Sequence, residues 1–196
     1  MTAEEGIERE KERMRRDLHL VLSTIGPDES ERAANRLAEH VAETPEFASA
    51  KVIGLYASTK NELSTGPLFD LAISAGKCCV FPRCLEEDLL EFARVESPSD
   101  LVPGRYGILE PARARETVEL AEIDLVIVPG LGFDRSGGRL GRGGGYYDRT
   151  FSGSLRSRPF LLGVAHSVQV FEVVPVAEHD QRMDAIVTEA GMTRVR

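Results

Sequence analysis

Between Pro129 and Asp148 the chain reads PGLGFDRSGGRLGRGGGYYD, and eight of its 18 glycines fall between Gly130 and Gly145. Glycine at this density lets the backbone reach positive φ and approach a ligand closely, so that several amide N–H groups can converge on phosphate oxygens. Arg139 and Arg142 add permanent charge and forked donors suited to phosphate. Asp148 closes the run with a carboxylate of the kind Mg²⁺ takes alongside substrate phosphates. The chemistry these types assemble is the handling of a nucleotide phosphate, with ATP as the expected co-substrate. Neither common phosphate pattern is present. The run lacks a Gly-Lys-Ser/Thr ending, and no GxGxxG opens a helix after the first strand. Glycine-rich composition also suits a merely flexible loop, and Asp148 could instead pair with Arg149.

The elements around this run must position it. Ile123 to Val128 is the clearest buried strand and leads directly into it. In open α/β sheets the crevice beyond strand carboxyl ends is where ligands bind. Residues 3–22 read as a helix with Ile7, Met14, Leu18, Val21 and Leu22 on one stripe. A second helix begins after Gly26-Pro27 and ends before Pro45. Strands are expected at Lys51–Tyr56, Cys78–Phe81, Leu89–Val95, Phe160–Val164 and Ala185–Val187. Pro67 and Gly76 bracket a further helix. Alternating strands and helices predict one domain over residues 1–196, an α/β/α three-layer sandwich with a mostly parallel sheet.

The 196 residues carry a net charge of −8 with 42% apolar and 29% charged side chains. That balance supports a globular core and argues against a general nucleic-acid binder. No apolar run approaches a membrane span, and the first residues lack a signal-peptide pattern, so a cytoplasmic protein is expected. Cys78, Cys79 and Cys84 read as small buried hydrophobes in a reducing compartment. His19, His40, His166 and His179 show no metal-ligand spacing.

Pro129–Asp134 followed by Arg139–Asp148 closely resembles the signature of 5-formyltetrahydrofolate cyclo-ligases. The resemblance spans nearly the whole chain. It takes in the basic N-terminal helix, Asn61-Glu62, Phe81-Pro82-Arg83, Tyr106–Pro111, and His179-Asp180 with Met183-Asp184. It implies a fold shared with phosphosugar isomerases and CoA transferases. It also implies conversion of 5-formyltetrahydrofolate to 5,10-methenyltetrahydrofolate with ATP and Mg²⁺, through a phosphorylated formyl group.

Carried over by motif, the nucleotide site is Lys11, Arg15, Arg139, Leu140, Gly141, Arg142, Gly143, Gly144, Gly145, Tyr146 and Tyr147. Arg142 and Tyr147 take the catalytic roles, Arg142 by stabilising the transferring phosphoryl. Ala57, Glu62, Tyr106 and Tyr146 would contact the folate, and Asp148 and Asp180 the metal. Glu62 suits a pterin edge because a carboxylate accepts two hydrogen bonds at once. Lys11 and Arg15, at i and i+4, share a helix face that could close over phosphates, or could simply be solvated beside Glu8 and Glu12. The partner implied is a small folate, with or without a polyglutamate tail, and the protein a monomer. Some relatives carry lysine where this chain has Gly144. Two alternatives stay open, a non-catalytic folate- and nucleotide-binding paralogue and an isomerase- or transferase-like enzyme using Glu62 and Glu110 as an acid–base pair. Arg142→Ala and Asp148→Ala are each expected to remove most turnover and to leave the fold intact.

Overall fold

The computed structural model describes residues 3–152 and 158–195. In chain order its elements begin with helices α1 (Ala3–Ser23), α2 (Pro27–Ala42) and α3 (Pro45–Ser49), followed by strand β1 (Val52–Gly54), helix α4 (Gly66–Ser74), and strands β2 (Cys78–Cys84) and β3 (Leu90–Arg94). Short strands β4 (Leu101–Pro103), β5 (Leu109–Pro111) and β6 (Thr117–Val118) precede β7 (Leu125–Pro129). After it come β8 (Gly132–Asp134), β9 (Arg139–Leu140), helix α5 (Tyr146–Phe151), and strands β10 (Phe160–Val164), β11 (Val170–Phe171), β12 (Ala185–Thr188) and β13 (Gly191–Arg194).

Eight strands form one sheet in the order β13-β12-β10-β7-β1-β2-β3-β6. The run from β12 to β2 is parallel throughout, and β13, β3 and β6 add antiparallel edges. The inner strands are apolar on both faces because both are covered. On one face, Leu37 and Val41 of α2 and Leu68 and Phe69 of α4 pack on Ile53, Leu125, Ile127 and Leu162. On the other, Phe151 of α5 and Phe133 of β8 pack on Val126, Val128, Leu161 and Ile186. This second layer is built from α5 and a small sheet, β11-β8-β9. Helix α1 lies over the small sheet, with Leu18 and Leu22 against Leu131, Leu140 and Val174.

The chain reverses direction across the sheet between β1 and β7. From β1 it passes through α4 to β2 on one side, and from β7 through α5 to β10 on the other. The carboxyl ends of β1 and β7 therefore open a crevice in which ligands of doubly wound sheets sit.

Two expectations change. The glycine-rich run is not one loop: its first part is a β-hairpin, with Gly132 paired to Leu140 and Phe133 to Arg139. Strand β2 continues past Phe81 through Pro82 to Cys84. By then it has left β1 and pairs only with β3, the one-sided setting in which proline is tolerated in a strand. No helix among the described residues is long and apolar enough to cross a membrane.

Candidate active site

At the β1–β7 crevice lies a cleft of about 740 Å³. Every residue the sequence nominates lines it: Lys11 and Arg15 from α1, Ala57 and Glu62 after β1, Tyr106, the whole of Arg139–Asp148, and Asp180. Segments more than a hundred positions apart in sequence meet here because the doubly wound sheet brings strand ends together.

The floor of the cleft is built of buried ion pairs. Arg139, with a side chain 5% exposed, donates from Nη2 to both carboxylate oxygens of Asp148 at 2.9 and 2.8 Å. Its guanidinium also lies 5.5 Å from the ring centre of Tyr147. Its Nε is buried without a hydrogen-bond partner among the described residues. Asp148 accepts a further bond from the Gln181 N–H, at 3.0 Å. Its partner is thus Arg139 and not the adjacent Arg149. Removing Asp148 would strand a buried guanidinium, so the expectation that Asp148→Ala leaves the fold intact is revised.

Lys11 makes the second pair, donating to Asp180 Oδ2 at 2.6 Å. The Ala177 N–H donates to the same oxygen at 2.7 Å. Burial pushes the Asp180 carboxyl up, but the Lys11 ammonium and the Ala177 N–H outweigh it and hold the group below its ordinary range. Arg15 donates from Nε to the Gly141 carbonyl at 3.1 Å and pairs with Glu8 at 2.7 Å. The shared face of Lys11 and Arg15 is therefore turned into the cleft, and helix α1 is fastened to the loop by it.

At the mouth the groups are more exposed. Arg142, 41% exposed, meets Glu62 Oε1 through Nε at 3.0 Å. It also hydrogen-bonds the Thr59 hydroxyl. Glu62 Oε2 accepts from the Thr59 N–H at 2.9 Å, which fixes the carboxylate in the loop after β1. Tyr106 and Tyr146 stand edge to face, with centres 6.5 Å apart and hydroxyls 3.3 Å apart. Burial pushes the Tyr147 hydroxyl well above its usual value, so it stays a proton donor at neutral pH.

Between floor and mouth runs the backbone of residues 141–145. Gly143 and Gly145 sit at φ 101° and 67°, conformations that strain other residues. A Cβ at Gly144 would come within 2.9 Å of the Tyr146 ring, so any side chain there needs that ring displaced. Leu140 lines the cleft through its backbone, since its side chain is buried beneath α1 with Leu18 and Leu131.

Arg149 and Cys84, which no motif marks as binding residues, also line the cleft, as does Gly130 of the glycine-rich run. Glu110 turns its Oε1 to the Arg105 N–H at 3.1 Å, and Glu62 is held by Arg142. Two carboxylates so committed make a poor acid–base pair. Burial, with Glu110 close by, pushes the Cys84 thiol up to about 11. No cluster of three or more His, Cys, Asp or Glu side chains is found among the described residues. Asp148 and Asp180 still suit Mg²⁺ arriving with a nucleotide, because that ion needs only one or two carboxylates beside phosphate and water. Asp180 Oδ1 lies 3.8 Å from His179 Nε2, while Lys11 engages Oδ2.

A sequence profile of the 5-formyltetrahydrofolate cyclo-ligase family matches residues 7–189. The 5-formyltetrahydrofolate cyclo-ligase of Escherichia coli strain K12 is 32% identical over 167 residues, covering 84% of this chain and 92% of that protein. The mouse 5-formyltetrahydrofolate cyclo-ligase is 28% identical over 189 residues, covering 91% and 93%. The NMR structure of Aquifex aeolicus 5,10-methenyltetrahydrofolate synthetase superposes with a TM-score of 0.83 at 34% identity, covering 95% of this chain and 93% of that one. With its signature residues gathered in one cleft and the match running almost end to end, the chain belongs to the 5-formyltetrahydrofolate cyclo-ligase family.

Proposed function

We propose that the cleft converts 5-formyltetrahydrofolate and ATP to 5,10-methenyltetrahydrofolate, ADP and phosphate. The formyl oxygen on N5 attacks the γ-phosphorus, and the bond from that phosphorus to the ADP oxygen breaks. N10 then adds to the phosphorylated formyl carbon and loses its proton, and the carbon–oxygen bond breaks to release phosphate. Little covalent help is asked of the protein; alignment and charge neutralisation are.

The observation that carries this reading is convergence. Cations from α1 and from the glycine-rich run, the Glu62 carboxylate and the Tyr106–Tyr146 pair all face one cleft. Lys11, Arg15 and the 141–145 amides are assigned to the nucleotide phosphates. Arg142 is assigned to the transferring phosphoryl, since its guanidinium is exposed and can exchange Glu62 and Thr59 for a phosphate. The Tyr147 hydroxyl would donate to a phosphate oxygen, and Arg139 acts mainly by holding Asp148. Glu62 is assigned to the pterin edge, with Ala57, Tyr106 and Tyr146 against the flat ring. Mg²⁺ bound with ATP would be held by Asp148 and Asp180 and would neutralise charge on the phosphoryl oxygens. A single domain, acting as a monomer in the reducing cytoplasm on folates with or without polyglutamate tails, completes the proposal. The free thiols of Cys78, Cys79 and Cys84 support that compartment.

The test is an absorbance assay. Purified protein with 5-formyltetrahydrofolate, MgCl₂ and ATP should develop the near-ultraviolet band of the methenyl product, and omission of ATP should abolish it. ATP binding without that band would favour a non-catalytic paralogue; no ATP binding would overturn the phosphate assignments.

A further inference from the structure

Three non-glycine residues among those described have positive φ: Glu87 at 63°, Asp88 at 55° and Tyr106 at 59°. Tyr106 lines the mouth of the cleft, and Glu87 and Asp88 lie in the β2–β3 turn, whose Asp88 reaches Arg105 beside it. Such conformations are uncommon outside glycine and persist where the surroundings hold them. Asp88 is the one of the three whose carboxylate bridges separate segments. It does not line the cleft, yet its Oδ1 accepts from the Tyr146 hydroxyl at 2.9 Å. Arg105 lies 3.3 Å from the same oxygen and Arg149 3.4 Å from Oδ2. Arg149 Nε also reaches the Asp88 carbonyl at 3.3 Å. The Nη2 that faces Asp88 Oδ2 also donates to the Gly144 carbonyl. Arg105 lies over both tyrosine rings, 5.2 Å from the centre of Tyr106 and 5.9 Å from that of Tyr146.

One carboxylate thus has two arms. Through Tyr146 it sets the aromatic wall, and through Arg149 it sets the backbone at Gly144. We propose that Asp88 is a positioning residue that ties the substrate wall of the cleft to its phosphate-binding backbone. This rests on the ligand assignments under the proposed function: Tyr146 against the folate ring, and the 141–145 amides against ATP. The two arms differ in chemistry. Tyr146 needs an acceptor, which asparagine also supplies; Arg149, and Arg105 beside the rings, need a negative charge, which asparagine lacks.

The experiment compares Asp88→Asn with Asp88→Gly, glycine being chosen because it accepts positive φ and removes the side chain without straining the turn. KM for each substrate is measured together with the amide chemical shifts of Gly143, Gly144 and Gly145 in ¹⁵N-labelled protein. Asp88→Asn should raise KM for ATP about fivefold, the worth of a partly exposed charge pair, and raise KM for the folate less, because Tyr146 keeps its acceptor while Arg105 loses its charge partner. Asp88→Gly should raise both. The three glycine amides should shift in both variants. A purely structural role would lower the melting temperature with both KM values and all three amide shifts unchanged, and that result overturns the proposal. Equal losses for both substrates in Asp88→Asn would overturn the two-arm division. Should the parent show no turnover, the catalytic reading fails by itself; the amide shifts then decide whether Asp88 sets the Gly144 backbone, and their failure to move rejects it.

Discussion

Arg139 and Arg142 stand three positions apart on the same run, and the fold gives them opposite circumstances. Arg139 is 5% exposed and locked to Asp148, whereas Arg142 is 41% exposed and leans on Glu62 across the mouth. The floor, with its Arg139–Asp148 and Lys11–Asp180 pairs, is fixed, and no charge there can leave without exposing its partner to an apolar interior. The mouth is exchangeable, because water reaches the Arg142 guanidinium, although little of its Glu62 partner, and a phosphate can replace a carboxylate there. Phosphoryl transfer gains from both. A floor that does not reorganise aligns the reactants, and a movable guanidinium can follow the charge. Two arginines of one motif therefore do different work, and variants should separate them.

The largest effect on the folded state is expected at the floor. Asp148→Ala leaves the Arg139 guanidinium buried and unpaired, and should lower the free energy of unfolding by about 3–5 kcal/mol, read from urea titrations. A loss below about 1 kcal/mol, the worth of a surface pair, would mean that floor and mouth are energetically alike.

Next in size is Arg142→Ala, whose effect belongs to the reaction. Turnover should fall about 10²-fold to 10³-fold, the usual loss when one donor to developing charge is removed. Unfolding should change by no more than about 1 kcal/mol. Loss of stability without loss of turnover would reverse the roles of the two arginines.

The smallest concerns acid. The Asp180 carboxyl titrates below its ordinary range in the folded protein, with Lys11 against it. A depressed folded value means that its stabilising contribution is complete above the unfolded value of about 3.9, and is lost as pH falls through the folded value. Urea midpoints of the parent and Asp180→Asn should therefore differ most at neutral pH and converge below about pH 4. A constant gap down to the acid limit would show that the pair does not carry that titration.

Much of this architecture was legible beforehand. The strand Phe160–Val164 was read to the residue, because an apolar run between polar neighbours has few alternatives. The α1 stripe was read from its spacing: Leu18 and Leu22 are buried, whereas Val21, expected on the same stripe, is 43% exposed. The hairpin of β8 and β9 was not, since a strand of Gly132–Asp134 has no local signal. It exists because β8 pairs with β11, whose register is 37 residues away between Phe133 and Val170. Arg149 was likewise placed beside Asp148 on adjacency alone, although successive helix residues point in different directions. Asp88 carried no motif, and its partners come from two separated segments, Arg105 from one and Tyr146 and Arg149 of α5 from the other.

The sequence by itself determined which chemical groups the cleft contains. Residue type and motif spacing carry that information directly, and every nominated residue lies there. Which charge is buried, which is paired to which, and which is left exposed for a ligand were decided only by the tertiary structure. Those properties depend on distance and solvent, and the sheet reversal between β1 and β7 sets both by bringing residues 11, 62, 106, 148 and 180 into one cleft.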